Sequence, residues 1–227
     1  MQALVAKGLV QVQPGPDDER VKRARLTAAG LAEYEEMERR SDGWAASMLE
    51  PLTEAQRERL VAAMDEVHRL LQASRTRIER VDPASAAARW CIAQYFAELA
   101  RRFETGFDPA ASLPVDAAEL TPPRGVQLVA SVDTAWVACG SIKTVAPGVG
   151  YIKRMWVSDA ARGLGLGRRM LAALEAEART LGMHTVRLET NRALAEAIAL
   201  YRSAGYTEVP PFNAEPYAHH WFEKALA

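Results

Sequence analysis

The chain has 227 residues, 49% hydrophobic and 25% charged, with a formal net charge of -1. That balance fits a globular protein of one or two domains and excludes a global electrostatic pull toward nucleic acid or anionic membrane. Two isolated cysteines suggest neither a disulfide framework nor a metal site. No apolar run is long enough to span a bilayer and the N-terminus lacks a signal-peptide pattern, so a cytoplasmic location is expected.

Leu9-Val-Gln-Val-Gln13, the turn Pro14-Gly-Pro-Asp-Asp18 and Arg20-Val-Lys-Arg-Ala-Arg-Leu26 predict a β-hairpin with a basic second strand. Thr27 is placed to cap a helix whose Tyr34, Met37, Trp44 and Met48 follow a seven-residue pattern. Thr53 and Gln56 form a capping box ahead of Leu60, Met64, Val67 and Leu71, again at seam spacing. Such narrow seams usually pack against partner helices. Ser74 to Pro83 reads as a short charged linker, and Pro83 breaks helix continuity. Ala84 to Phe103 resumes as a helix carrying Trp90, Tyr95, Phe96 and Leu99, and Thr105 to Arg124 is a loop rich in Pro and Gly. Short strands follow at Val126–Val129, Ala135–Thr144 and Tyr151–Val157.

After Val157 comes Arg162-Gly163-Leu164-Gly165-Leu166-Gly167, and then a helix marked by Met170, Leu171, Leu174, Ala178 and Leu181. A strand that feeds a glycine-rich turn into a helix start is a ready anion site, because the first-turn N–H groups have no partner within the helix. Arg162 and Arg168 add positive charge, which the helix dipole would disfavour unless an anion binds there. A P-loop would need Lys-Ser or Lys-Thr after the last glycine, where Arg168-Arg169 stands, and the G-x-G-x-x-G spacing is not met. Further on, His184–Thr190 alternates like a strand. Leu194, Ala197, Ile198 and Tyr201 then mark one face of a helix ending at Gly205-Tyr206.

The pattern R-x-x-G-x-G on Arg162, Gly165 and Gly167, with Ala197-Ile-Ala-Leu-Tyr-Arg-Ser-Ala-Gly-Tyr206 downstream, resembles the GNAT superfamily of N-acetyltransferases. Ile152–Val157 resembles that family's acetyl-CoA-binding strand, and Phe212–Lys224 resembles a subgroup's closing strand. The resemblance covers residues 83–227 and implies an α/β fold: a mixed, mostly antiparallel sheet flanked by helices, with a strand splay beside Val157 that admits acetyl-CoA. Residues 1–82 resemble the second half of a MarR-type winged-helix regulator, mainly α-helical with a β-hairpin wing. In that likeness Asp18–Val21 would be the wing tip, and most of the helix-turn-helix would lie before Met1, so no specific DNA reading is expected of the chain as written.

The likeness implies transfer of acetyl from acetyl-CoA to a primary amine, on a small molecule or a peptide, by direct attack. Tyr201 would protonate the leaving thiolate. Met155, Val157, Arg162, Gly163, Leu164, Gly165, Gly167, Arg168 and Asn191 would hold the cosubstrate, Asn191 having helix capping as its other reading. Phe107, Asp108, Asp116 and Glu119 suit either an acceptor-side wall or a plain surface connection. One departure concerns the base: Tyr151 stands where subgroup relatives carry an acidic residue. Glu189, set by alternation with Thr185 and Arg187, is the weak remaining candidate, either solvent-facing or paired. His219 and His220 are adjacent in a strand and cannot chelate one ion together, so no metal site is expected. The N-terminal helices predict a homodimer. The alternative function is a MarR-type regulator whose GNAT-like domain senses acetyl-CoA or a small effector.

Overall fold

The computed structural model describes residues 1–14 and 22–226, and the expected turn and wing tip between Gly15 and Val21 lie outside them. The chain divides into two compact units, Met1–Asp65 and Glu66–Ala227.

The first unit opens with α1 (Gln2–Ala6) and a hairpin of β1 (Val10–Pro14) and β2 (Lys22–Leu26), paired antiparallel from Val10↔Leu26 to Pro14↔Lys22. Then come α2 (Ala28–Leu49) and α3 (Glu54–Arg75), within which the unit boundary falls. Both predicted caps form. The Gly30 amide donates to Thr27 Oγ1 at 3.0 Å, and the Thr53 amide donates to Gln56 Oε1 at 2.9 Å. The seams are bare: Trp44 is 74% exposed, Met37 58% and Met64 60%.

The second unit is a seven-stranded sheet. After β3 (Thr76–Val81) and α4 (Ala86–Arg102) come β4 (Gly125–Val132), β5 (Ala135–Ala146), β6 (Val149–Val157), α5 (Leu166–Thr180), β7 (Thr185–Thr190), α6 (Ala195–Ser203), β8 (Thr207–Val209) and β9 (His220–Ala225). The strand order is β3-β4-β5-β6-β7-β9-β8, and only the β6–β7 pair is parallel. Helices cover both faces, as strand alternation demands. Leu128 and Ala130 of β4 join Met170, Leu171 and Leu174 of α5 and Ile198 of α6 in one core, while Val129 joins Cys91 of α4 and Trp156 in another. Full burial of each such leucine stabilises by about 1.5–3 kcal/mol.

Two elements differ from the sequence reading. The segment taken as a linker, Ser74 to Pro83, contains β3, which pairs with β4 from Thr76↔Val132 to Val81↔Gln127 and forms the edge of the sheet. Its charged residues Arg77, Glu79 and Arg80 belong to an edge strand with an exposed face, which periodicity alone does not separate from a polar linker. The compact second unit, which begins at Glu66, includes this strand. The short β8 is too brief for alternation to reveal it.

Candidate active site

The site grows out of an irregularity in β6. Its ladder with β5 slips between Cys139↔Trp156 and Ser141↔Lys153, so Arg154 and Met155 occupy a bulge, with Arg154 at a φ of 55°. A left-handed conformation in a non-glycine residue costs on the order of 1–3 kcal/mol and persists only where its surroundings enforce it. Here β5 does so through buried side chains: Ser141 Oγ donates to the Lys153 carbonyl at 2.9 Å, and Cys139 Sγ to the Arg154 carbonyl at 3.4 Å.

On its other side β6 pairs with β7 only through Val149↔Thr185, Gly150↔Val186 and Tyr151↔Arg187. Beyond Tyr151 the two strands part, although β6 runs on to Val157 and β7 to Thr190. This is the splay expected beside Val157. Backbone groups along the parted edge are open to a ligand that can pair with them as an added strand would.

The loop after β6 supplies the second half of a cavity of about 420 Å³. Gly163 and Gly165 have φ of 79° and 69°, values that L side chains rarely adopt, and Gly165 caps α5. The first helical bond runs from the Arg169 amide to the Gly165 carbonyl at 3.1 Å, so the amides of the preceding turn lack helical acceptors and suit an anion. At Gly167 the close neighbour is Leu200 of α6: a Cβ would lie 3.3 Å from its Cδ2.

Met155, Val157, Arg162, Gly163, Gly165, Gly167, Arg168 and Tyr201 all border this cavity. Leu164 does not; it packs against the core. Asn191 lies on a second cavity instead, and its polar atoms are taken: Oδ1 accepts from the Ala193 amide at 2.8 Å and Nδ2 donates to the Tyr217 carbonyl at 2.7 Å. The arginines have protein partners as well. Arg162 reaches Glu98 Oε1 at 2.5 Å and pairs with Asp159, and Arg168 donates to Ser203 Oγ at 2.6 Å.

Glu98 was not singled out by the sequence. Buried on α4, it also accepts from Trp156 Nε1 at 2.8 Å and from Arg102 at 3.2 Å, tying α4, β6 and the glycine loop together. Removing this buried hub leaves the Trp156 indole N–H without its acceptor, at a cost of about 1–3 kcal/mol. Nothing in a lone glutamate on a helix announces this, since the partners come from distant segments.

The second cavity, about 120 Å³, opens on the other side of Tyr201. Tyr95, Leu99, Met155, Leu194, Ala197 and Tyr201 border both spaces, so the cavities meet along a seam that carries two tyrosines, one of them the Tyr201 of the sequence reading. Tyr201 is 5% exposed, and burial first, then the charge of Glu189, raises its phenol well above the ordinary value. It therefore stays protonated across the neutral range. One wall is aromatic: Phe107 lies 5.4 Å from Phe96 and 4.8 Å from Tyr217, ring centre to ring centre. Asp116 and Glu119 are elsewhere, closing a cap with each other, while Glu119 also pairs with Lys143 at 2.8 Å.

The opposite wall is an ionic cluster. Lys153 Nζ lies 2.7 Å from Glu189 Oε1 and 3.2 Å from Glu215 Oε2. Tyr151 donates to Glu189 Oε2, accepts from Asn213 Nδ2 at 2.7 Å, and has its phenol raised by burial and by Glu189. Glu189 is thus paired and buried, with neither oxygen free to meet an amine. His220 contacts Glu208 Oε1 at 2.6 Å, and among the described residues no cluster of His, Cys, Asp or Glu could hold a metal ion.

The geometry agrees with what known proteins show. The model of the acetyltransferase (GNAT) family matches residues 93–206. An IAA acetyltransferase of Azospirillum brasilense is 36% identical over 123 residues, 54% of this chain and 80% of that protein. A Klebsiella pneumoniae structure, provisionally assigned as an acyl-CoA N-acyltransferase, is 32% identical with a TM-score of 0.55, covering 67% of this chain and 98% of that one. A Salmonella typhimurium structure provisionally named an acetyltransferase, solved with acetyl-CoA, shares the fold at 19% identity and a TM-score of 0.51, covering 67% of this chain and 95% of its own. With the glycine loop, the parted strands and the family match in agreement, the chain belongs to the GNAT family and is an acetyltransferase that draws its acetyl group from acetyl-CoA.

Proposed function

We propose that the protein transfers the acetyl group to a primary amine by direct attack, with no covalent enzyme intermediate, and that Tyr201 is its general acid. The observation that carries this reading is the meeting of the two cavities at Tyr201: one has the features of a coenzyme site, and the other is walled for a small acceptor.

The residues present fit acetyl-CoA. The positive-φ glycines and free first-turn amides suit its pyrophosphate, with Arg162 and Arg168 beside them. The parted edge of β6 at Met155 and Val157 suits its amide-bearing arm. When bound, acetyl-CoA supplies an activated thioester. A β6 N–H at the bulge would polarise the thioester carbonyl. Tyr201 would give its proton to sulfur as the C–S bond breaks and the C–N bond forms, and the proton lost by the amine leaves toward the acceptor cavity. Cys91 and Cys139 are fully buried, so neither is placed to act as an acyl carrier.

Direct attack requires both substrates to be bound at once. Initial velocities measured over a grid of acetyl-CoA and amine concentrations are expected to give intersecting reciprocal plots. Parallel lines, the mark of a ping-pong route, would overturn this part of the proposal.

We further propose that the bare seams of α2 and α3 make a homodimer. A second reading, a MarR-type regulator sensing acetyl-CoA, is favoured by one observation: the exposed basic strand Lys22–Leu26 in its hairpin. It predicts acetyl-CoA binding without turnover of any amine, together with a sequence-specific footprint on DNA.

A further inference from the structure

Arg154 is the unusual cation of the second unit. Lys153, Lys143, Lys224 and Arg102 line up with carboxylates at 2.7 to 3.2 Å. Arg154, by contrast, enters no ion pair among the described residues. Its guanidinium lies over the Phe96 ring, 5.6 Å from the centre, on the wall of the acceptor cavity. Burial pulls its pKa down from the ordinary value, as expected for a desolvated cation without a counter-anion. The bulge that aims it there is held by buried groups of β5, so the position is built rather than incidental.

Glu215, which lines the same cavity, is already engaged. Glu215 is 7% exposed, and its Oε2 takes bonds from Ser112 Oγ at 2.9 Å, the Leu113 amide at 3.1 Å and Lys153. Its Oε1 is buried and has no hydrogen-bond partner. A buried carboxylate oxygen without a donor is unfavourable, and two carboxylates here share one lysine. The cavity wall therefore combines an unpaired guanidinium with an aromatic face, while its carboxylates Glu189 and Glu215 are held by Lys153. A molecule that answers both carries a carboxylate and an apolar body, and the transfer reaction adds the requirement of an amine.

We propose that the acceptor is a free apolar α-amino acid, with Arg154 receiving its carboxylate and the aromatic wall of Phe96, Phe107 and Tyr217 receiving its side chain. This rests on the amine-transfer reading above and names the substrate class for that same site. A peptide N-terminus lacks the adjacent carboxylate, and a simple amine lacks it too, so both leave Arg154 without a partner. Bidentate pairing with a carboxylate is a role for which a guanidinium fork is suited.

The test uses the full chain with acetyl-CoA and two acceptors, phenylalanine and leucine, each beside its amide and its decarboxylated amine. Wild type is expected to favour the free acids in kcat/KM by about tenfold or more, the range of a charge-assisted contact. Arg154→Met should erase most of that preference through KM, and Arg154→Lys should keep part of it, with a thermal melt on each variant confirming the fold. Equal turnover of acid, amide and amine by wild type would overturn the proposal and leave amine transfer standing. So would an Arg154→Met variant that loses all three alike, or keeps the acid preference. Turnover of none of the six but of another amine in a wider panel would overturn the substrate class alone, and turnover of no amine at all would remove both readings together.

Discussion

Tyr201 owes its place to an apolar stripe on a nine-residue helix, with its ring 5.9 Å from Tyr206 and 5.8 Å from Phe222. Those contacts would suit a plain core residue; it also borders both cavities, and among the residues that do so only it and Tyr95 carry a hydroxyl. Tyr201→Phe keeps the packing and removes the donor. The expected result is a fall in kcat by about 10²–10⁴-fold, the usual worth of a general acid, with acetyl-CoA affinity nearly unchanged by calorimetry. A kcat within a few-fold of wild type would take Tyr201 out of the mechanism. At this scale the sequence was legible where structure follows a local pattern: Gly165 caps α5 at a positive φ, and Tyr201 is buried on the face that its stripe marks. It was silent wherever chemistry is assembled from distant segments. Glu98 gathers Trp156 and Arg162, and Lys153 gathers Glu189 and Glu215, contacts that span tens of residues and leave no spacing to read.

The elements divide the same way. Strands with clean alternation or β-branched runs, such as β4 and β7, stand where the sequence placed them, with small shifts at their ends. The bulge in β6 was not legible, because Ile-Lys-Arg-Met-Trp-Val gives no glycine or register cue and the slip is imposed from β5. In the first unit, the seams were legible as patterns and the structure leaves them uncovered: Trp44, Met48 and Met64 are each at least 60% exposed. Exposed apolar rows of this kind cost free energy in water and gain it by association. A homodimer through α2 and α3 is the expected outcome. Sedimentation equilibrium should give twice the chain mass for wild type, and Trp44→Glu, which sets a charge into the seam, should shift the mass toward one chain. A wild-type protein that sediments as a monomer at micromolar concentration would end the proposal.

At the scale of the whole molecule, the question is what the transferase unit needs in order to stand. The strand β3 pairs with β4 through six residue positions, and Ile78 packs against the main core. Side chains fasten it further. Arg169 of α5 donates to the Ala73 carbonyl at 2.6 Å and to the Thr76 carbonyl at 3.0 Å, and Arg80 reaches Glu177 at 2.7 Å. These bonds hold α5, the helix whose first turn forms the coenzyme loop. A chain begun at Pro83 loses all of them and leaves the β4 edge unpaired, whereas a chain begun at Glu66 keeps them. With net contributions of about 0.5–1.5 kcal/mol for each bond of the β3–β4 ladder and of Arg169, and nothing counted for the exposed Arg80, the shorter piece forgoes several kcal/mol of a typical total of about 5–15. Its Tm should fall by roughly 10 °C or more relative to residues 66–227, since each kcal/mol shifts a domain of this size by about 2–4 °C. Acetyl-CoA affinity should fall with it, because the loop rests on α5. Residues 66–227 should keep the turnover of the full chain. Equal melting temperatures and equal turnover for the two pieces would show that β3 is an ornament of the sheet and that the transferase proper begins after it.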